Sequence, residues 1–321
     1  MSTVPPHLRL LPLLPVLLTT AAAHLAACDS CGCHMPSALV PADPGWNAGL
    51  MEQYTDFGTL QDGGRKVDNR FDQSMQSSTT QLTLGYRCDE RWAVSAFIPY
   101  ISRSYSRPDG GVIEHGTVAG LGDATLVGSC RLLSIEHLQD ALSVGILAGV
   151  KIPTGDPAQL KYEEQGGGDQ DPASATGGHD LALGSGAWDP LGGLDLIGRL
   201  GRWYAQLQGT YTYNTEGAYE YRYANEIAGS VGIGYFVYVQ SPWRIATQLN
   251  LSGSSKGLDT IAGTLTDDTA NHDLFAGAEC SGTYLHALSG DLAVDLPVIE
   301  RNSAIQLVPT WRLRAALTVF F

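Results

Sequence analysis

Apolar and polar residues alternate along much of the chain, in segments long enough to cross a bilayer. Between residues 202 and 214 the odd positions are apolar or interfacial, and the even positions other than Tyr204 are polar. The same two-sided pattern recurs at residues 142–152, 243–252 and 310–321. A period of two is typical of a β-strand whose two faces meet different surroundings. The pattern therefore predicts strands with one apolar face and one polar face.

Segments of this kind number about twelve over the length of the chain. An even number is what single-chain bacterial outer-membrane barrels require, and each segment reaches the roughly 9–11 residues of a tilted spanning strand. We therefore predict an all-β fold, an antiparallel transmembrane β-barrel. The predicted strands lie near residues 47–60, 78–88, 91–103, 118–133, 139–153, 187–199, 202–214, 222–239, 242–254, 270–284, 288–297 and 306–321.

The connections between these segments alternate in length. Residues 61–77, 104–117 and 154–186 are long connections, whereas residues 89–90 and 200–201 are short ones. Outer-membrane barrels have short periplasmic turns and long outer loops, so this order places the amino terminus in the periplasm. A soluble β-sandwich also has short alternating strands, but it is not expected to keep aromatic residues at the ends of its apolar rows. Those residues are Trp92, Trp203, Trp243 and Trp311.

Composition and charge narrow the class of protein further. Charged residues make up only 16% of the 321 residues, against roughly 25% in an average globular domain. No apolar run after the first 30 residues reaches the roughly 20 residues of a membrane-spanning helix. The formal net charge of −14 disfavours nucleic acid as a partner. A membrane protein of this composition is a barrel.

The amino terminus has the order of a secretory signal peptide, in which Arg9 precedes an apolar run and then small residues. Two cleavage sites stay open. The segment Leu25–Cys28 resembles a lipobox, where a peptidase cuts before a cysteine that is then lipidated, whereas Ala21 and Ala23 fit an ordinary signal-peptidase site. The predicted parts are a signal peptide at 1–27, a periplasmic segment at 28–46 and an outer-membrane barrel at 47–321.

A cluster of thiols and one imidazole follows the predicted cleavage site, at Cys28, Cys31, Cys33 and His34. Soft thiolates with an imidazole suit Cu(I) or Zn²⁺. The spacing completes neither a zinc motif nor the C-x-x-C-H motif of a c-type haem. Three interpretations stay open: lipidation of Cys28, a metal site of all four side chains, or a disulfide between Cys31 and Cys33 in the oxidising periplasm. Lipidation and metal binding are compatible.

The chain ends on two aromatic residues, Phe320 and Phe321. In lipid every backbone group must be paired, so the last strand has to join the first. A barrel that ends on an aromatic residue resembles the signal by which the barrel assembly machinery recognises outer-membrane proteins. We expect this machinery and outer-membrane lipid as partners, with Phe321 on the lipid-facing side.

Charged residues that alternate with the lipid-facing apolar residues of the strands are expected to face the lumen. Because both signs occur, two interpretations are open: ion pairs that fill a narrow barrel, or an eyelet of opposed charges that filters small solutes. Twelve strands leave limited room, because the smallest barrels are filled by side chains and only the large porins are open. The predicted lumen residues are Arg87, Asp123, Arg131, Lys151, Arg244, Glu279, Asp291, Asp295, Arg312 and Arg314.

Several glycine-rich stretches resemble one family of outer-membrane proteins. They are Gly120–Leu126, Leu183–Pro190, Gly201–Trp203 and Asn214–Gly217, followed by Asn225 and Glu226. The similar family comprises transporters named after the meta-pathway of phenol degradation, and the likeness spans residues 45–321. The resemblance implies a barrel fold and the passage of small aromatic or hydrophobic compounds.

The sequence-based hypothesis is an outer-membrane channel, not an enzyme, through which small hydrophobic or aromatic solutes diffuse passively. One alternative is a barrel that acts as a scaffold for a periplasmic metal or redox partner through the Cys/His cluster. The other is a lipid hydrolase, which needs a serine, a histidine and a polar orienting group on the lipid side. Of the histidines, His115, His179 and His272 lie in or beside predicted outer loops, but no serine lies in a nucleophile motif. No catalytic residue is predicted.

Overall fold

The structure consists almost entirely of antiparallel strands. The computed structural model describes residues 44–137, 140–164 and 173–321. Twelve long strands form a closed barrel, which confirms the predicted fold and strand number. The strands are β1 (Gly45–Asp62), β2 (Arg65–Lys66), β3 (Ser74–Arg87), β4 (Trp92–Asp109), β5 (Val112–Leu121), β6 (Ala124–His137), β7 (Asp140–Ile152), β8 (Asp189–Leu200), β9 (Trp203–Thr212), β10 (Tyr221–Arg222), β11 (Glu226–Gln240), β12 (Trp243–Lys256), β13 (Thr260–Ile261), β14 (Thr264–Leu265), β15 (Asn271–Tyr284), β16 (Leu288–Asn302) and β17 (Ile305–Phe320). All except β2, β5, β10, β13 and β14 are barrel strands.

The first and last strands close the barrel. β1 pairs with β17 from Asn47 opposite Phe320 to Asp62 opposite Ile305. The backbone N–H of Trp46 donates to the carbonyl oxygen of Phe321 at 2.7 Å. In return, the N–H of Phe321 donates to the carbonyl oxygen of Trp46 at 2.9 Å. The seam therefore extends to the last residue of the chain. The Phe321 side chain is exposed.

Aromatic rings form two girdles on the outer surface. Three ring pairs mark the end with short turns, with centroids between 4.7 and 4.9 Å apart: Trp46 with Tyr86, Trp203 with Tyr235, and Trp243 with Tyr284. Towards the other end, Tyr54 and Trp311 lie 5.2 Å apart. From Trp46 to Tyr54 the strand extends about 26 Å along its own axis, which at a tilt of about 35–45° corresponds to a height of roughly 20 Å, near the roughly 25 Å apolar band of membrane barrels. We take the strand segments between the girdles as the membrane-spanning band.

The wall rises unevenly beyond the second girdle. β4 pairs with β6 only up to Phe97 opposite Thr125, and then continues to Asp109 in a hairpin with β5. The interpretation of residues 104–117 as a loop, and of residues 118–133 as one strand, was therefore wrong. Above the membrane the outward face carries serines, so the apolar alternation that marks the spanning strands is missing there.

The long connection after β7 folds into the mouth of the barrel. It contains two one-turn helices, Lys161–Glu164 and Gly178–Leu181. Leu181 is fully buried in an apolar cluster with Phe57 and Met75 of the wall. We call residues 173–188 the plug, because they lie across this end of the lumen. Within the described part of the chain, no helix is long and apolar enough to cross a membrane.

A glycine makes room for an aromatic side chain on the inside of the wall. Tyr204 is buried and packs against Phe236, with ring centroids 5.0 Å apart. Gly234 lies opposite Tyr204 in the β9–β11 pairing, and a Cβ atom at Gly234 would collide with the tyrosine ring. Gly209, on the same strand as Tyr204, has open space where its Cβ would be.

We expect Gly234→Val to destabilise the barrel by about 1–3 kcal/mol, because overpacking displaces the Tyr204 ring. The matched control is Gly209→Val, for which we expect a change below about 0.5 kcal/mol. Urea unfolding of both variants in detergent, followed by tryptophan fluorescence, measures the difference. Equal stability of the two variants would contradict this packing role of Gly234.

Candidate functional site

Three charged side chains meet in the middle of the lumen. Asp295 on β16 lies directly opposite Arg312 on β17, and Arg314 is two residues further along the same face. The Nε atoms of Arg312 and Arg314 lie 3.1 and 3.0 Å from Oδ2 of Asp295. Their exposed fractions are 0% for Asp295, 3% for Arg312 and 6% for Arg314. We call these three residues the ionic cluster.

The surroundings of the ionic cluster compensate for its burial. Removing a charge from water costs several kcal/mol unless it is paired and hydrogen-bonded. One carboxylate here serves two guanidinium groups, and Arg312 also donates to Oγ of Ser252 at 3.1 Å. The Arg312 guanidinium lies 4.2 Å from the centre of the Phe275 ring, where a cation is attracted to the aromatic face.

The ionic cluster lies between two cavities of the lumen. Arg312 lines a cavity of about 200 Å³ on the plug side, together with apolar residues such as Phe57, Ile101 and Phe275. Arg314 lines a cavity of about 100 Å³ towards the short-turn end, which Arg87 and Asp291 also line. A solute that crossed the barrel would have to pass the cluster.

Other predicted lumen residues lie apart from the cluster. Asn250 donates to the buried Glu279 at 3.2 Å. Arg87 is close enough to Arg131 and Asp195 to interact with their charges. Asp195 was missing from the prediction, although its neighbours Leu194 and Leu196 are exposed and the same alternation would have placed it inside. Arg244 is exposed beside the short turn between β11 and β12.

Asp123, also predicted for the lumen, holds the plug to the wall, whereas Lys151 pairs with Asp189 within the wall. Asp123 accepts from the N–H of Gly155 at 3.0 Å and from the N–H and Oγ of Ser185 at 2.8 and 3.0 Å. Nζ of Lys151 lies 2.8 Å from the buried Asp189, which also accepts from the N–H of Thr215 at 2.8 Å. Three of the stretches that carry the family resemblance, Gly120–Leu126, Leu183–Pro190 and Asn214–Gly217, thus meet where the plug joins the wall, whereas Gly201–Trp203 lies at the end with short turns.

A buried arginine anchors the other side of the plug. Nη1 of Arg103 on β4 donates to the carbonyl oxygens of Asp180 and Ala182, at 2.6 and 3.0 Å. Gln73 adds two further bonds: its Nε2 donates to the carbonyl of Ala173, and its Oε1 accepts from the N–H of Ala175, both at 2.8 Å. On β17, across the barrel from β8, the N–H of Leu307 donates to the carbonyl oxygen of Ala175 at 3.3 Å. The plug is therefore bonded to opposite sides of the barrel.

An ion pair joins the plug to the helix Lys161–Glu164. Nδ1 of His179 lies 3.0 Å from Oε1 of Glu163, and Nε2 lies 3.4 Å from Asp180. Burial opposes the charge of His179, but the carboxylates of Asp180 and Glu163 outweigh it and raise its pKa to about 10. Burial likewise opposes the charge of Glu163, but His179 and backbone N–H groups lower its pKa to about 2.

The two other histidines predicted near outer loops, His115 and His272, give little support for a hydrolytic site. His115 is exposed on β5. His272 lies on the outer face beyond the second girdle, where its Nδ1 is 2.7 Å from Oγ of Ser255. These two residues are direct partners in the β12–β15 pairing, so the register of the strands accounts for their contact.

The signal peptide and the cluster Cys28, Cys31, Cys33 and His34 lie outside the described residues. Metal binding, lipidation and cleavage therefore stay predictions. The chain enters the barrel at β1, whose first residue, Gly45, lies at the end with short turns.

We expect Asp295→Asn to destabilise the barrel by about 3–5 kcal/mol, because it leaves two buried guanidinium groups without a counter-charge. The control is Asp267→Asn, which removes the same charge from an exposed loop residue. Urea unfolding in detergent measures both. The prediction fails if Asp295→Asn is as stable as the control.

The ion pair between His179 of the plug and Glu163 predicts how the free energy of unfolding depends on pH. The contribution of Glu163 is complete above its ordinary pKa of 4.5 and is lost as the pH falls through about 2. That of His179 is complete below 6.5 and is lost as the pH rises through about 10. His179→Gln should therefore reduce the free energy of unfolding at pH 6 and have little effect above pH 10. His115→Gln, at an exposed histidine, is the control, and an effect of His179→Gln that is the same at both pH values would refute the ion pair.

Comparisons with known proteins support the fold. No protein-family model matches the chain, and no curated protein matches it. The structure is similar to that of an outer membrane channel from Pseudomonas putida F1, with a TM-score of 0.64 and 18% identity over 90% of this chain and 100% of that one. The β-domain of the Bordetella autotransporter BrkA is more distant, with a TM-score of 0.47 and 12% identity over 86% of this chain and 100% of that one. The resemblance drawn from the sequence is thus correct at the level of an outer-membrane barrel fold, whereas the phenol-degradation family has no further support.

Proposed function

We propose that the protein is an outer-membrane channel through which small hydrophobic or aromatic solutes diffuse passively. The observation that carries the proposal is the divided lumen: two cavities, separated by the ionic cluster, lie beneath a plug that is hydrogen-bonded to the wall. The two aromatic girdles support a place in a membrane. The similarity in fold to a bacterial outer membrane channel supports the outer membrane as that place.

The plug-side cavity supports the size of the solute. Its walls combine Phe57, Met75, Ile101 and Phe275 with a larger number of polar and charged residues, Arg312 among them. Its volume of about 200 Å³ suits one aromatic ring, since an apolar protein cavity of ~150 Å³ holds benzene. The guanidinium of Arg312 lies over the Phe275 ring. An aromatic solute could therefore contact both the charged group and the apolar ring.

The orientation and assembly of the barrel belong to the same proposal. Short turns on the periplasmic side are usual in outer-membrane barrels, so the amino terminus and the predicted Cys/His cluster would lie in the periplasm. The plug would then close the outer mouth. The exposed Phe321 and the complete seam with β1 suit recognition of the last strand by the barrel assembly machinery.

Passage through the barrel requires the plug to move out of the lumen. Arg103 is the residue to test, because it donates to two carbonyl oxygens of the plug. Arg103→Met keeps the length of the side chain but removes both hydrogen bonds to the plug carbonyls. We expect larger single-channel conductance and faster uptake of a single-ring aromatic by proteoliposomes than in the wild type. Planar bilayers and liposome uptake measure the two quantities.

The control for this experiment is Arg70→Met, because Arg70 is more than four-fifths exposed and lies away from the plug carbonyls. We expect it to behave as the wild type. Absence of ion conductance and of aromatic uptake in all three proteins would refute the channel. Conductance that is equal in the wild type and in Arg103→Met would refute the plug as its gate.

A further inference from the structure

Four arginine side chains point into the mouth of the barrel at the end with short turns. Each follows or precedes an exposed apolar or aromatic residue on its strand, so the alternation of side chains turns it towards the lumen. Three of them lie within two residues of a turn. The N–H of the fourth, Arg131, donates to the carbonyl oxygen of Arg91 in the turn between β3 and β4, at 2.8 Å. We call these four residues the arginine ring: Arg87 on β3, Arg131 on β6, Arg199 on β8 and Arg244 on β12.

The arginine ring gives this mouth an excess of positive charge. Two carboxylates on the lumen side lie deeper, those of Asp195 and Asp291, so four positive charges face two negative ones. The carboxylates in and beside the turns are exposed to water, and Asp89 and Asp140 accept hydrogen bonds from backbone N–H groups of the turns. Since the whole chain carries a net charge of −14, the positive mouth is a local feature.

Arg87 and Arg131 share the field of one carboxylate without bonding to it. The charges of Arg131 and Asp195 both act on Arg87. Gly145 lies between Arg131 and Asp195 in the pairing of β6, β7 and β8, and a Cβ atom there would collide with the carboxylate of Asp195. The glycine thus lets this carboxylate reach towards Arg131. Within the described part of the chain, none of the four guanidinium groups of the ring comes within ion-pair distance of a carboxylate.

One donor of the arginine ring is buried without an acceptor. Nε of Arg199 has no hydrogen-bond partner among the described residues. A buried donor on a charged group is costly when it is unsatisfied, and like charges around one mouth also repel each other. A water molecule could accept from Nε but would leave the repulsion in place. An anion in the ring removes both costs.

The chemistry of the ring favours a carboxylate on an apolar body. A guanidinium group presents a planar fork of donors that matches the two oxygens of a carboxylate. Arg87 also lines the cavity of about 100 Å³, where the buried side chains of Met51 and Phe97 supply apolar contacts. The two positive groups of this cavity lie far apart, since Arg87 pairs with Gly45 of β1 and Arg314 pairs with Gln53.

We propose that the arginine ring binds the carboxylate of the solute, so that the barrel selects small aromatic carboxylates. Arginine side chains in a pore favour anions, and several weak sites in series let a solute leave as well as enter. Arg314 and Arg87 would provide two such sites along one cavity. The passage of these solutes rests on the proposed channel, whereas their binding to the ring does not.

Binding is tested by calorimetry on the full-length protein in detergent at neutral pH. The probes are benzoate and benzamide, which share the ring and differ in charge. We expect benzamide to bind at least about tenfold more weakly than benzoate, because it lacks the charge-assisted hydrogen bonds. The double variant Arg87→Gln/Arg131→Gln should weaken benzoate binding by about tenfold or more for the same reason.

The matched control is Arg202→Gln, which removes the same charge from an exposed turn residue at the same mouth. It should bind benzoate as the wild type does. Arg87→Lys keeps the charge but not the planar fork, so it should weaken benzoate binding and retain the preference for anions. Arg244→Gln alters an exposed side chain, so its effect can be measured even if the double variant does not fold.

Selectivity is measured from the reversal potential in planar bilayers under a KCl gradient. We expect the wild type to prefer Cl⁻ over K⁺, and Arg244→Gln and the double variant to prefer it less. Absence of benzoate binding, equal affinity for benzoate and benzamide, or unchanged affinity in the double variant would overturn the proposal. So would ion conductance without a preference for Cl⁻. Benzoate binding without any conductance would instead contradict the proposed channel and leave the carboxylate site in place.

Discussion

The whole structure depends on the requirement that backbone groups in lipid be hydrogen-bonded. Water is absent from the membrane core, and each unpaired N–H or carbonyl there costs several kcal/mol. The chain meets this requirement by pairing β17 with β1 to its last residue. Once the sheet is closed it has an outside and an inside. The alternation of side chains along each strand then decides which residue meets lipid and which faces the lumen.

Closure also explains why the lumen is organised around ion pairs. Charges such as Asp295 and Arg314 lie inside a wall of restricted width, where they are far from bulk water. They are stable there only in contact with one another, so they form a partition and leave cavities on either side. Buried, uncharged polar residues, among them Gln81 and Gln206, complete the inner surface. Closure of the twelve-stranded wall thus makes the lumen narrow, and the narrow lumen requires its charges to be paired.

The sequence alone predicts the spanning part of the fold well, because alternation over the membrane band is a local property. The same alternation also places Asp195 inside, between the outward-facing Leu194 and Leu196. β5 was not predicted, since its outward side chains lie above the membrane and need not be apolar. The plug depends on contacts between distant residues, such as Arg103 with the carbonyl of Asp180. The stretches around Asp123 and Ser185 are recognisable as motifs, but no periodicity shows that they bond to each other.

The two attachments of the plug differ in kind. It is covalently continuous with β8, whereas the N–H of Leu307 on β17, across the barrel from β8, holds it through a hydrogen bond to Ala175. Arg103 and the packing of Leu181 against Phe57 and Met75 add non-covalent contacts. The non-covalent contacts of the plug therefore involve no hydrogen bond between barrel strands. Substitutions at these contacts would loosen the plug without unpairing the wall. The attachment of the plug and the closure of the barrel are in this sense separable traits of one chain.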